Sequence, residues 1–240
     1  MESISQTECG LVGRMIRIFY APGETFESLA RKRSTADWLV PAILSVVVAT
    51  TAAVLVLSFT TEFNQEIMQQ RMQNMSAEER EVVEQHQIQG IMQISTLIVT
   101  PIMLFILIFI FAAFCLLMGK LLGGLLSYGQ VLAIVAYTGL IAIPQQVIKT
   151  LLISAKKTPM VQMGLGLFLS EEALQSFSGR LLSLIDPFII WSVVITGLGL
   201  SIVGQLDRRK AYAGVGVITL IWLSLASALG SIGQSFGSGG

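Results

Sequence analysis

Apolar residues in this chain come in long unbroken runs, separated by shorter polar segments. A hydrocarbon layer about 30 Å thick takes roughly 20 helical residues at 1.5 Å rise each. Five runs reach that length: Trp38 to Phe59, Ile91 to Met118, Tyr128 to Ile153, Pro187 to Leu206 and Ala211 to Ile232. A sixth, Met160 to Leu169, is too short to cross and reads as interfacial or re-entrant. Backbone in lipid must satisfy its own hydrogen bonds, and these runs lack the two-residue period of barrel strands, so they predict helices. The expected fold is all-α, a polytopic membrane protein with five transmembrane helices.

The polar segments carry their own patterns. In the leader, residues 1–36, Leu11, Val12, Met15, Ile16 and Phe19 recur at helical spacing around Arg14 and Arg17. Such a helix either lies on anionic lipid with its arginines snorkelling or packs on the inner loops. Pro22-Gly23-Glu24-Thr25 breaks it, and Arg31, Lys32 and Arg33 precede the first span. These five cations, Arg14 and Arg17 with the cluster, are the candidate lipid or partner contacts. Residues 60–90 are rich in helix formers, with Ser76 and Glu79 at capping-box spacing, and predict a polar helical hairpin outside the membrane. Residues 158–185 read as an interfacial segment, with a helix from Ser170 whose apolar face is Leu174, Phe177, Leu181, Leu182 and Ile185. The glycine-rich residues 233–240 read as a disordered tail.

Composition narrows the function. Hydrophobic residues make up 53% and charged residues 12%, too few charges to cover a water-soluble surface. Fifteen Lys plus Arg balance fifteen Asp plus Glu, so no basic excess is available for nucleic acid. Cys9 and Cys115 are too few and too differently placed for a disulfide framework or a metal site. Nine of the fifteen cations fall on the inner segments if the N-terminus is cytoplasmic. The firmest element of that N-in, C-out orientation is Asp207-Arg208-Arg209-Lys210, between the last two spans. The first 36 residues contain no apolar core of a cleavable signal peptide.

Candidate chemistry is sparse. Asp186 before Pro187 has the pattern of a helix N-cap followed by proline at the first helical position. Lys149 lies a turn inside the outer end of the third span, near Pro144, Gln145 and Gln146, and snorkelling to the interface explains it. A more specific expectation is that Lys149 pairs with Asp186, and that Gln145 or Gln146 completes a small polar membrane site. Met68, Met72, Met75 and His86 could bind copper(I), but as an apolar seam of the hairpin they need no metal. Zinc-protease, aspartyl-protease and phosphate-loop motifs are missing, so neither catalytic residues nor a cofactor is expected. Gly197, Gly199, Ser201 and Gly204, with Ala211, Ala213, Gly214 and Gly216, predict close packing of the last two spans or a dimer seam.

Taken in order, several stretches resemble the Yip family of Rab-interacting multi-pass proteins, in its prokaryotic branch. They are Ile18-Phe19-Tyr20-Ala21-Pro22-Gly23-Glu24-Thr25-Phe26, Ser127 to Ala133 with Ala136-Tyr137 and Ile143-Pro144, and Asp186-Pro187-Phe188 with Trp191, Gly197 to Ser201 and Lys210-Ala211. The resemblance covers Phe19 to about Leu229 except the hairpin, and it implies the same five-span layout. Eukaryotic members resemble Golgi and endoplasmic-reticulum trafficking factors that bind Rab GTPases, but their Asp-Leu-Tyr-Gly-Pro stretch is missing here. Prokaryotic members imply a bacterial inner-membrane protein. The expected function is a non-enzymatic scaffold or accessory subunit that contacts membrane lipids and binds a partner protein through the 60–90 hairpin or the leader. Homo-oligomerisation is a further expectation. The alternative is a lipid or small-solute transporter or channel using the Lys149, Asp186, Gln145 and Gln146 region.

Overall fold

The computed structural model describes residues 10–31, 34–60, 88–158 and 161–237, and no strand occurs among them. Two short leader helices, α1 (Leu11–Arg17) and α2 (Pro22–Arg31), precede the long α3 (Ala36–Phe59) and α4 (Ile88–Leu121). Next come α5 (Tyr128–Gly139) and α6 (Ala142–Lys156), a 3-10 turn at Leu165–Phe168, and the short α7 (Glu171–Gln175) and α8 (Phe177–Ser183). The chain ends with α9 (Pro187–Val203) and α10 (Arg208–Gly237). α3, α4, the α5–α6 pair and α10 are each long and apolar enough to cross a membrane, and α8 with α9, bent by 70°, makes a fifth candidate. The protein is thus the all-α polytopic membrane protein that the apolar runs predict.

Several boundaries differ from the sequence reading, each for a local reason. The third span is two helices. Pro144 has no N–H for the Leu140 carbonyl, and the N–H groups of Leu140, Ile141 and Ile143 turn instead to carbonyls three residues back, at 3.2, 2.9 and 3.0 Å. The fourth span closes at Val203 because Gln205 adopts a left-handed φ of 53° and the Leu206 N–H caps the Ser201 carbonyl at 3.0 Å. The helix expected from Ser170 breaks at Ser176, which is extended and caps α8 by accepting from the Gly179 N–H at 3.0 Å. α10 runs on to Gly237, so part of the expected tail is helical, isolated glycines being a weak bar to a helix already started. Apart from its two ends, the hairpin expected at 60–90 lies outside the described residues.

The core is built around α5. Every residue from Val131 to Thr138 is buried, as befits a helix apolar on all sides and enclosed by α2, α3, α4 and α9. α9 runs antiparallel to the third span along its whole length. Gln145 meets Asp186, the Thr196 and Thr138 hydroxyls bond at 3.2 Å, Gly199 faces Ile134 and Gly204 faces Leu126. Glycines set the spacing. A Cβ on Gly199 would come within 2.6 Å of Ile134 Cγ2 and 2.9 Å of Phe26 Cζ, and one on Gly197 would run into the Tyr212 ring of α10. The small-residue face of α9 therefore serves two partners: α10 on one side, and α2 with α5 on the other.

The leader belongs to this core. Ile18 and Phe26 are fully buried in the same cluster as Val131, Tyr137 and Leu200, and the Phe19 ring packs edge-on against Trp191 with centroids 6.0 Å apart. G199A should lower the thermal midpoint in lipid discs, by the equivalent of about 1–3 kcal/mol of overpacking. G216A, inside α10 at a position with open space around it, should not lower the midpoint and should raise it slightly, alanine being the better helix former.

Candidate functional site

Two polar clusters stand out, one at each end of the bundle. At one end, α6 and α9 bring Gln145 and Asp186 together. Asp186 is the N-cap of α9, with Pro187 at the first helical position, where the missing N–H removes no hydrogen bond. Its Oδ1 accepts the Ile189 N–H at 2.8 Å, and its Oδ2 accepts from Gln145 Nε2. Asp186 is only 7% exposed, and both carboxyl oxygens are engaged. Gln146 is half-buried, and Lys149 is exposed.

The expected Lys149–Asp186 pair is not formed: the partners of the Asp186 carboxyl oxygens are the Ile189 N–H and the Gln145 amide. Lys149 lies one turn beyond Gln145, but Asp186 is already satisfied by a backbone amide and a side-chain amide. Hydrogen bonds, not an opposite charge, hold this carboxylate. The site also joins the two interrupted helices, the α5–α6 break and the 70° bend before α9. The chain turns into α9 through close backbone contact, with the Leu165 N–H donating to the Ile185 carbonyl at 3.0 Å.

At the other end, Arg14 Nη2 of α1 donates to Asp37 Oδ1 at the start of α3. Asp37 Oδ2 accepts from the Ser34 N–H at 2.7 Å and the Ser34 hydroxyl at 3.2 Å. The side chains of the pair are 13% and 2% exposed. A buried ion pair adds little against an apolar substitute, but removing one partner costs about 3–5 kcal/mol because the other charge stays behind. Nothing local in the sequence marks this contact, whose partners are 23 residues apart. Arg17 Nη1 bonds Glu24 Oε2 at 3.1 Å on the surface. Two of the expected lipid contacts, Arg14 and Arg17, are thus engaged by carboxylates of the chain itself. Arg31 is exposed at the end of α2, and Lys32 and Arg33 lie outside the described residues, as do Met68, Met72, Met75 and His86. Among the described residues, no group of three or more His, Cys, Asp or Glu side chains could hold a metal.

These features define an integral membrane protein of the polytopic helical class, with a structured leader built into its membrane bundle. A family model, the Yip1 domain, matches residues 16–230, and the chain belongs to that family. No curated protein and no solved structure matches it.

The cap at Asp186 yields a graded expectation. D186N retains an acceptor for the Ile189 N–H and should stay near wild type in thermal unfolding. D186A should lose about 1–2 kcal/mol. K149Q should lie within about 0.5 kcal/mol of wild type, as an exposed substitution does, and exchanging the charges in D186K/K149D should not restore stability.

Proposed function

We propose that this Yip1-family protein is a non-enzymatic scaffold or accessory subunit, which uses its leader as a fixed docking face for a partner protein at the cytoplasmic end of the bundle. The observation that carries this reading is Phe26, fully buried against Gly199 and Ile134. A leader anchored at that depth offers a surface of defined shape, which lowers the ordering entropy that a partner must overcome. Its outward strip is apolar, since Val12, Ile16 and Tyr20 follow one another at helical spacing and are exposed. Residues 60–90 are a second candidate contact for a partner, and the open side of Gly216 offers a seam for a second copy.

The N-in, C-out orientation rests on the distribution of Lys and Arg, and the family resemblance points to a bacterial cytoplasmic membrane. One observation favours the alternative of a lipid or small-solute carrier: two interrupted helices meet at Gln145 and Asp186, an arrangement that transporters use to line binding sites. Copurification from native lipid discs separates the two readings. Replacing Val12, Ile16 and Tyr20 with serine should remove a stoichiometric protein partner and leave the melting temperature unchanged. The scaffold reading fails if no protein copurifies with the wild type, and the leader as its docking face fails if the partner persists after the replacement. A bound lipid class released by Q145A alone would support the carrier.

A further inference from the structure

We propose that the paired connections α4–α5 and α9–α10 form a docking surface for the headgroup of an anionic phospholipid. The two connections are one body. The Leu125 N–H donates to the Gly204 carbonyl at 3.1 Å, and Leu126 and Leu206 are buried between them. Gly123, with φ of 88°, turns the chain out of α4, and a Cβ on Gly124 would sit 3.0 Å from Leu206 Cγ. A Cβ on Gly214 would come within 2.9 Å of Leu122 Cδ1 and 3.0 Å of Met118 Cγ, so the last turn of α4 lies against the first turns of α10. Lys120 is thereby brought to the same end of the bundle as Arg208, Arg209 and Lys210.

These four cations are exposed, and the ion pairs Arg14–Asp37 and Arg17–Glu24 do not involve them. Asp207 is the single acid in residues 118–127 and 204–214, and its Oδ1 accepts the Lys210 N–H at 3.2 Å. Arg208, Arg209 and Lys210 occupy the first turn of α10, where the helix dipole disfavours cations and an added anion is stabilised. Topology alone accounts for the Arg-Arg-Lys run. It does not account for the pairing with Lys120 from another helix, or for the two leucines beside it. Leu121 and Leu125 are 73% and 75% exposed, among the most exposed apolar residues of the protein. Apolar side chains at the acyl boundary next to cations at phosphate level fit a phospholipid better than a soluble anion.

The test is native mass spectrometry of the full chain in detergent, titrated with phosphatidylglycerol or phosphatidylcholine. The wild type should prefer phosphatidylglycerol. K120Q, which leaves the Arg-Arg-Lys run intact, should weaken that binding about fivefold, and R208Q/R209Q about twentyfold. L125S should weaken phosphatidylglycerol without affecting retention of inorganic phosphate. Unchanged melting temperatures should accompany all three variants. Equal binding of the two lipids overturns the proposal. So does wild-type affinity in both K120Q and R208Q/R209Q, or displacement of the lipid by inorganic phosphate at equal concentration. A copurifying acidic protein lost from the cation variants while lipid binding stays intact would assign the surface to protein instead and also overturn it.

Discussion

Where α9 lacks a side chain, at Gly199, the Phe26 ring of the leader and Ile134 of the central helix both reach its backbone. The rest of the architecture depends on that close approach. It places α2 in the groove between α5 and α9, which buries Ile18 and Phe26 completely and brings the Phe19 ring to Trp191. With α2 in place, α1 returns to the start of α3, where Arg14 meets Asp37. Apolar packing supplies the affinity of leader for bundle, and the ion pair fixes its register. Leaving either charge alone at that burial would be expensive.

The few polar groups inside the bundle follow the same economy. Asp186 caps one helix and accepts from Gln145 of another, so a single carboxylate ties the start of α9 to α6 beyond the proline break. Deeper in, the Thr196 hydroxyl donates to the Thr138 hydroxyl across α5 and α9. Each contact joins the third span to α9, the two elements that also share the leader. Lys120, Arg208, Arg209 and Lys210, exposed and clear of carboxylates, gather on the connections that close α4 to α5 and α9 to α10.

Much of this could be read from the sequence, because lipid imposes a coarse rule: long apolar runs become helices whatever they pack against. The Asp186–Pro187 cap was equally legible, since its cause lies within four residues. The small residues of the last two spans announced close packing, but not that Gly199 would face the leader while Gly197 faced Tyr212. Contacts set by tertiary geometry left no local trace. Spacing alone groups Arg14 with snorkelling cations because its acid lies 23 residues away, and shared depth alone suggests Lys149 for Asp186, whose side-chain partner is the Gln145 amide. Pro144 is plain in the sequence, but hydrophobicity alone does not report where backbone hydrogen bonds shorten to three-residue spacing, so the break after Gly139 is not legible there.

The central claim is that the leader is a fixed part of the membrane domain. Distances between spin labels at Glu27 and Gln205, both exposed, test it most directly in lipid discs, with Cys9 and Cys115 replaced by serine and alanine. The account predicts one narrow distance distribution, the same in zwitterionic and anionic bilayers. A broad distribution, or one that shifts with lipid charge, would show a leader floating on the membrane surface and contradict it.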